Sequence, residues 1–122
     1  AERVLFLAHN GPTGLGPRRS DLWGVDFRRE EGDFGDDDLR VAIEHARSEG
    51  KKVLAVIAGH MHHKLLGGGR RRWCERKDGI LYINAARVPR IFEERNGVFH
   101  HHVDLFIDGD HAEAVEVLRR GD

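Results

Sequence analysis

The chain has 122 residues, 39% hydrophobic and 34% charged, enough for one modest domain with a buried core and too few for two. Twenty Lys and Arg against 21 Asp and Glu give a formal net charge of -1, so no global field draws the protein to nucleic acid or to an anionic membrane. The single cysteine, Cys74, excludes an internal disulfide and a multi-cysteine zinc site and suits a reducing compartment, and the apolar runs are too short to span a bilayer.

The chain opens at Ala1 directly into a strand-like run, and its one methionine is Met61, so the expectation is a piece of a longer, soluble protein. Residues 3–8 hold Val, Leu and Phe between a charged start and a Gly/Pro cluster, which predicts a short central strand. From Gly11 to Gly35, recurrent glycine and proline break any helical or strand period. A loop of that length suggests the rim of an active site.

Asp36-Asp37-Asp38 opens a segment with Leu39, Ala42, Ile43 and Ala46 on one stripe, the spacing of an amphipathic helix over residues 36–49. Acidic residues suit its positive end, and Gly50 supplies the stop. Residues 53–58 are wholly apolar and rich in valine and alanine, the pattern of a strand covered on both faces and parallel to the first. Strand, crossover, helix and strand make a βαβ unit.

Beyond His63 the glycine run Gly67-Gly68-Gly69 marks a turn. Strand-like runs follow over residues 70–75, 80–84, 98–107 and 114–118, separated by Asp78-Gly79, Asn96-Gly97 and Asp108-Gly109. Such pairs are strong hairpin signals, so the C-terminal third reads as antiparallel β. Residues 112–120 have helix formers as well, but Val115 and Val117 alternate with glutamate and favour a strand. The expected class is α/β.

Both buried-type strands end in histidine: His9-Asn10-Gly11-Pro12 after the first, Gly59-His60-Met61-His62 after the second. Imidazole is a borderline-soft donor suited to zinc, manganese and iron, and strand ends are where α/β sheets keep their chemistry. Gly59 would let the chain bend sharply before the ligands. His9, His60 and His62 are therefore the candidate metal ligands. His63 is read as supporting them or facing solvent, His100, His101 and His102 as structural or surface groups, and His45 and His111 as surface groups.

Arg87 and Arg90 follow the strand ending at Asn84 and can orient a phosphate by forked hydrogen bonds, with solvated loop arginines the plainer alternative. Arg70-Arg71-Arg72-Trp73 has the chemistry to grip a single strand of nucleic acid, but four residues in a neutral protein read rather as an exposed strand edge. Cys74 has no catalytic neighbour in sequence and reads as an inert, partly buried thiol.

These motifs, His9-Asn10-Gly11-Pro12 and Gly59-His60-Met61-His62 each after a hydrophobic strand and followed by an antiparallel tail, resemble the C-terminal half of the calcineurin-like metallophosphoesterases. The longer pattern, with Tyr82-Ile83-Asn84-Ala85-Ala86-Arg87-Val88-Pro89-Arg90, is similar to a cyanobacterial and plant-type subgroup. The resemblance implies a partial α/β/β/α sandwich, with residues 1–122 as the C-terminal portion of one domain. It implies a phosphate-ester substrate hydrolysed by a metal-activated water at two divalent ions (Mn, Fe or Zn) about 3.5–4 Å apart. His9 and His60 would share one ion and His62 would bind the other, with Asn10 and Asn84 bracing the site.

The family's Asp-x-His, Gly-Asp and Gly-Asn-His elements are missing upstream, and Gly32-Asp33 and Gly109-Asp110 fall in the wrong order to replace them. The expectation is a fragment inactive alone, prone to self-association through uncovered sheet surfaces and located in the cytoplasm or, for a plant, a plastid. The alternative is a non-catalytic domain that binds a divalent ion or a partner.

Overall fold

A computed structural model describes residues 2–25, 32–65 and 68–121. Residues 26–31 of the long loop and Gly67 of the glycine run lie outside the described residues. The chain has mixed α/β content, with one helix and two sheets among the described residues. The elements are β1 (Arg3–Asn10), α1 (Asp37–Ser48), β2 (Lys52–Gly59), β3 (Cys74–Lys77), β4 (Ile80–Asn84), β5 (Ile91–Glu94), β6 (Gly97–Asp108) and β7 (His111–Arg120). No described helix is long and apolar enough to cross a membrane.

The helix ends where its sequence places the caps. The Asp36 side chain accepts hydrogen bonds from the Asp38 and Leu39 amides, which have no carbonyl partner within the helix. At the other end, Gly50 takes φ 79°, its N–H bonds to Arg47 and that of Lys51 to Ala46, closing the last turn in a Schellman motif.

One sheet runs β1-β2-β4-β3, with β1, β2 and β4 parallel and β3 antiparallel to β4; the other, β5-β6-β7, is antiparallel throughout. All three Asx-Gly pairs sit at hairpin turns: Asp78-Gly79 joins β3 to β4, Asn96-Gly97 joins β5 to β6, and Asp108-Gly109 joins β6 to β7. Residues 112–120 are strand, not helix.

The central sheet is covered on both faces. On one, α1 sets Ile43, Leu39 and Ala46 against Val56, Ala58, Ile80 and Tyr82. On the other, Ala112, Val103, Leu105 and Ala114 of the antiparallel sheet pack on Leu54, Ala55, Ile57, Leu81 and Ile83. Each valine, leucine or isoleucine among them, where fully buried, contributes about 1.5–3 kcal/mol, which is why β2 and β4 are nearly continuous hydrophobic runs. The second sheet stops short of β1, leaving Leu7 78% and Leu5 41% exposed on an edge strand.

Two expectations are corrected and one strand is added. The run over residues 70–75 is not a strand from its start; β3 begins only at Cys74. The arginines before it do not all line an exposed edge, because Arg71 is 2% exposed. β5, unannounced by its half-charged sequence, forms by pairing with the start of β6.

Candidate metal centre

The His9 and His60 rings lie 5.0 Å apart between centroids, at the C-terminal ends of the adjacent parallel strands β1 and β2. Two backbone features bring them together. The β1–β2 register slips between the Leu7–Ile57 and Asn10–Gly59 pairs, so β1 has one extra residue where Ala8 and His9 sit. Such a bulge re-aims the side chain at the strand's end. After β2 the chain turns at His60 itself, at φ 72°, so Gly59 is not the hinge the sequence suggested.

His9, His60 and His62 line one open depression of about 530 Å³, together with Arg87 and Arg90 from the loop after β4. All five residues expected at the site thus face the same space. His9 and His60 are exposed and His62 is half-buried. The three do not form a single three-ligand cluster; among the described residues the one group whose donor atoms all lie within 4.8 Å is His63, His101 and Glu116. No carboxylate lines the depression among the described residues.

The loop bearing these histidines is held by Asn84, fully buried at the end of β4. Its amide N–H groups donate to the Met61 carbonyl at 2.7 Å and the Leu22 carbonyl at 2.9 Å, and its side-chain oxygen accepts from Ala86 N–H at 3.0 Å. Asn84 therefore braces the loop through its backbone. Asn10 acts similarly after β1: Nδ2 donates to the Phe34 carbonyl and Oδ1 accepts from Gly11 N–H. Arg87 lays its guanidinium 4.4 Å from the centre of the Phe92 ring, which orders it beside the histidines.

Arg71, read from sequence as surface, is the other clamp. Its guanidinium donates to the carbonyls of His62, Asp21, Gly24 and Val25, tying the histidine loop to the first part of the long loop. The described residues of the long loop line none of the depression; Leu15, Leu22 and Trp23 are core, and the Trp23 indole N–H donates to the Gly59 carbonyl at 2.9 Å. Trp23 lies flat on Gly11, where any Cβ would stand 2.1 Å from the ring.

His63 and His101 are also buried, not solvent-facing. Burial holds the His63 imidazole below its ordinary pKa despite the opposing hydrogen bond to the Asn84 carbonyl. Burial pushes the Glu116 carboxyl up, but hydrogen bonds from His101 and Arg70 more than offset it and leave the group below its usual value. Burial raises the Cys74 thiol, as an inert cysteine requires.

No family model matches the chain, and neither a curated protein nor a solved structure does.

Proposed function

We propose that this chain carries the His9, His60 and His62 portion of a dinuclear metallophosphoesterase centre and that its substrate is a phosphate ester. The observation carrying this reading is the 5.0 Å approach of His9 and His60 in one depression with His62, Arg87 and Arg90. His9 and His60 would hold one divalent ion and His62 another, and such ions would supply neutralisation of phosphoryl charge and an activated water. Arg87 and Arg90 orient the non-reacting phosphate oxygens through charge-assisted hydrogen bonds. Asn84 and Arg71 hold the loop that carries His60 and His62 without touching substrate.

The incomplete donor set and the uncovered face of β1 support the reading that the remaining ligands, and the rest of a four-layered α/β/β/α sandwich, come from residues outside this chain. On that reading the isolated chain takes up metal weakly, associates through β1, and does not turn over.

The test is to read the coding sequence upstream of the Ala1 codon and assay the polypeptide spanning both parts. In-frame Asp-x-His, Gly-Asp and Gly-Asn-His elements are expected, with Mn2+-dependent hydrolysis of p-nitrophenyl phosphate or its bis-ester. His60→Ala and His62→Ala should each lower kcat by more than about 100-fold, because groups that only support metal ligands are worth up to about that much. Hydrolysis indifferent to both substitutions would sink the proposal. Metal uptake by a polypeptide that lacks those elements and does not hydrolyse the esters would favour the non-catalytic metal-binding alternative.

A further inference from the structure

Behind the loop of His60 and His62, a second set of side chains converges away from the open depression. One donor atom each of His63, His101 on β6 and Glu116 on β7 lies within 4.8 Å of the others. The two rings meet edge to face at 5.9 Å, and His63 and His101 are 1% and 4% exposed.

Their protonation is largely dictated by what they touch. His63 Nε2 lies 2.6 Å from the Asn84 carbonyl, which can only accept, so Nε2 carries the proton and Nδ1 keeps a lone pair. His101 Nε2 faces the Glu116 carboxylate at 2.7 Å, so these two atoms lie side by side with a proton between them that a cation would displace. Nδ1 of both rings is buried with no hydrogen-bond partner. Proteins seldom leave such groups unpaired. His63, which gives one N–H to a carbonyl and keeps its other nitrogen free, has the arrangement that metal-ligating histidines adopt.

We propose that His63, His101 and Glu116 form a buried site for one divalent cation of the zinc class, distinct from the open depression. Two imidazoles and a carboxylate suit zinc rather than the hard, oxygen-seeking calcium or magnesium, and three protein ligands leave a fourth position for water. A second depression, lined by His63, Arg70, Arg87, Val88 and Phe92, opens on His63 from solvent and shares Arg87 and Val88 with the first. Arg70 is the built-in competitor: its guanidinium lies 3.0 Å from Glu116, on a side chain half exposed and free to swing away. The ligands come from the loop after β2 and from two strands of the other sheet, so the ion fastens the antiparallel sheet to the loop that presents His60 and His62. This site does not depend on the phosphoesterase reading.

The test uses the whole chain carrying His9→Ala, His60→Ala and His62→Ala, stripped of metal and titrated with Co2+. Uptake of one equivalent, with the visible ligand-field absorption of a four-coordinate ion, displacement by Zn2+ and a melting temperature that climbs with Zn2+, is expected. In that background Glu116→Gln and His101→Gln should each weaken binding by about tenfold or more, and Arg70→Gln should tighten it. No Co2+ uptake by the triple variant would leave only a buried histidine–carboxylate pair and overturn the site; so would uptake unchanged by both ligand substitutions. If the ligand variants fail to fold by circular dichroism, Arg70→Gln decides: tighter binding supports the site, and unchanged binding overturns it.

Discussion

His9 and His60 meet because β1 bulges at the one and the backbone turns left-handed at the other. A left-handed φ on a residue with a Cβ costs about 1–2 kcal/mol, and His60 is exposed, so little packing repays it. His60→Gly should therefore leave stability unchanged or raise it by up to about 1 kcal/mol while weakening metal uptake in the open depression by about tenfold or more. Urea unfolding and Zn2+ titration check the two halves. Substantial destabilisation would mean that the imidazole holds the fold rather than a ligand.

Asn84→Ala strips partners from the buried carbonyls of Leu22 and Met61 and from the Ala86 amide. At about 1–3 kcal/mol for a buried group left unpaired, and with partial relaxation, the expected loss is about 3 kcal/mol by urea unfolding. Amide exchange should quicken first across residues 60–63, because the Met61 carbonyl is what Asn84 holds. A loss below about 1 kcal/mol would refute its bracing role.

Arg71→Lys tests whether the planar fork or only the charge matters. One ammonium cannot reach carbonyls as dispersed as those of Asp21, Gly24, Val25 and His62. We expect lysine to lose about 2–4 kcal/mol, nearly as much as methionine at the same position. Equal stability of wild type and lysine variant would mean that charge alone suffices.

What could be read from the sequence was whatever rests on local pattern. The apolar runs of β1, β2 and β4, the Asp36 cap with Gly50, and the three Asx-Gly turns each declare themselves within a few residues. What stayed hidden rests on contacts distant in the chain. Arg71 looks like surface until residues 21–25 fold over it, and β5 becomes a strand only against Phe99 and His100. His63 follows the exposed His60 and the half-buried His62, and only the arrival of His101 and Glu116, from far along the chain, makes its surroundings a cluster. The role of Gly11 was hidden for a related reason: only when Trp23 folds back onto it does the need for a residue without a side chain show.

Asp110, at the β6–β7 turn, bridges Arg3 on β1 and Lys52 on β2. Hydrogen bonds from Lys52 and then Arg3 hold its carboxyl below the ordinary value of 3.8. A depressed folded pKa means that the unfolded chain binds the proton more readily, so the contribution is present above about pH 4 and is lost as pH falls through the folded value. Asp110→Asn should flatten the acid limb of the stability profile below about pH 4 and reduce its salt dependence, since both partners are about half exposed. Denaturant midpoints from pH 2.5 to 7 at two ionic strengths test this, and an acid limb of unchanged slope would refute it.

Leu7 and Leu5 project from an edge strand onto a face that the antiparallel sheet covers over β2 and β4 but not over β1. An open strand edge with bare leucines is a template for another chain. The isolated chain should therefore associate reversibly at micromolar concentrations, and Leu7→Lys should return it to monomer without lowering its unfolding midpoint, because a side chain this exposed has almost no burial to lose. Sedimentation velocity across a hundredfold range of concentration separates the cases. Association untouched by Leu7→Lys would place the contact elsewhere, with Phe106 and Val115 on the outer face of the second sheet as the next surface to charge. A wild-type chain that stays monomeric throughout would remove the uncovered β1 face as support for a missing partner and leave the proposed function to rest on the histidines alone.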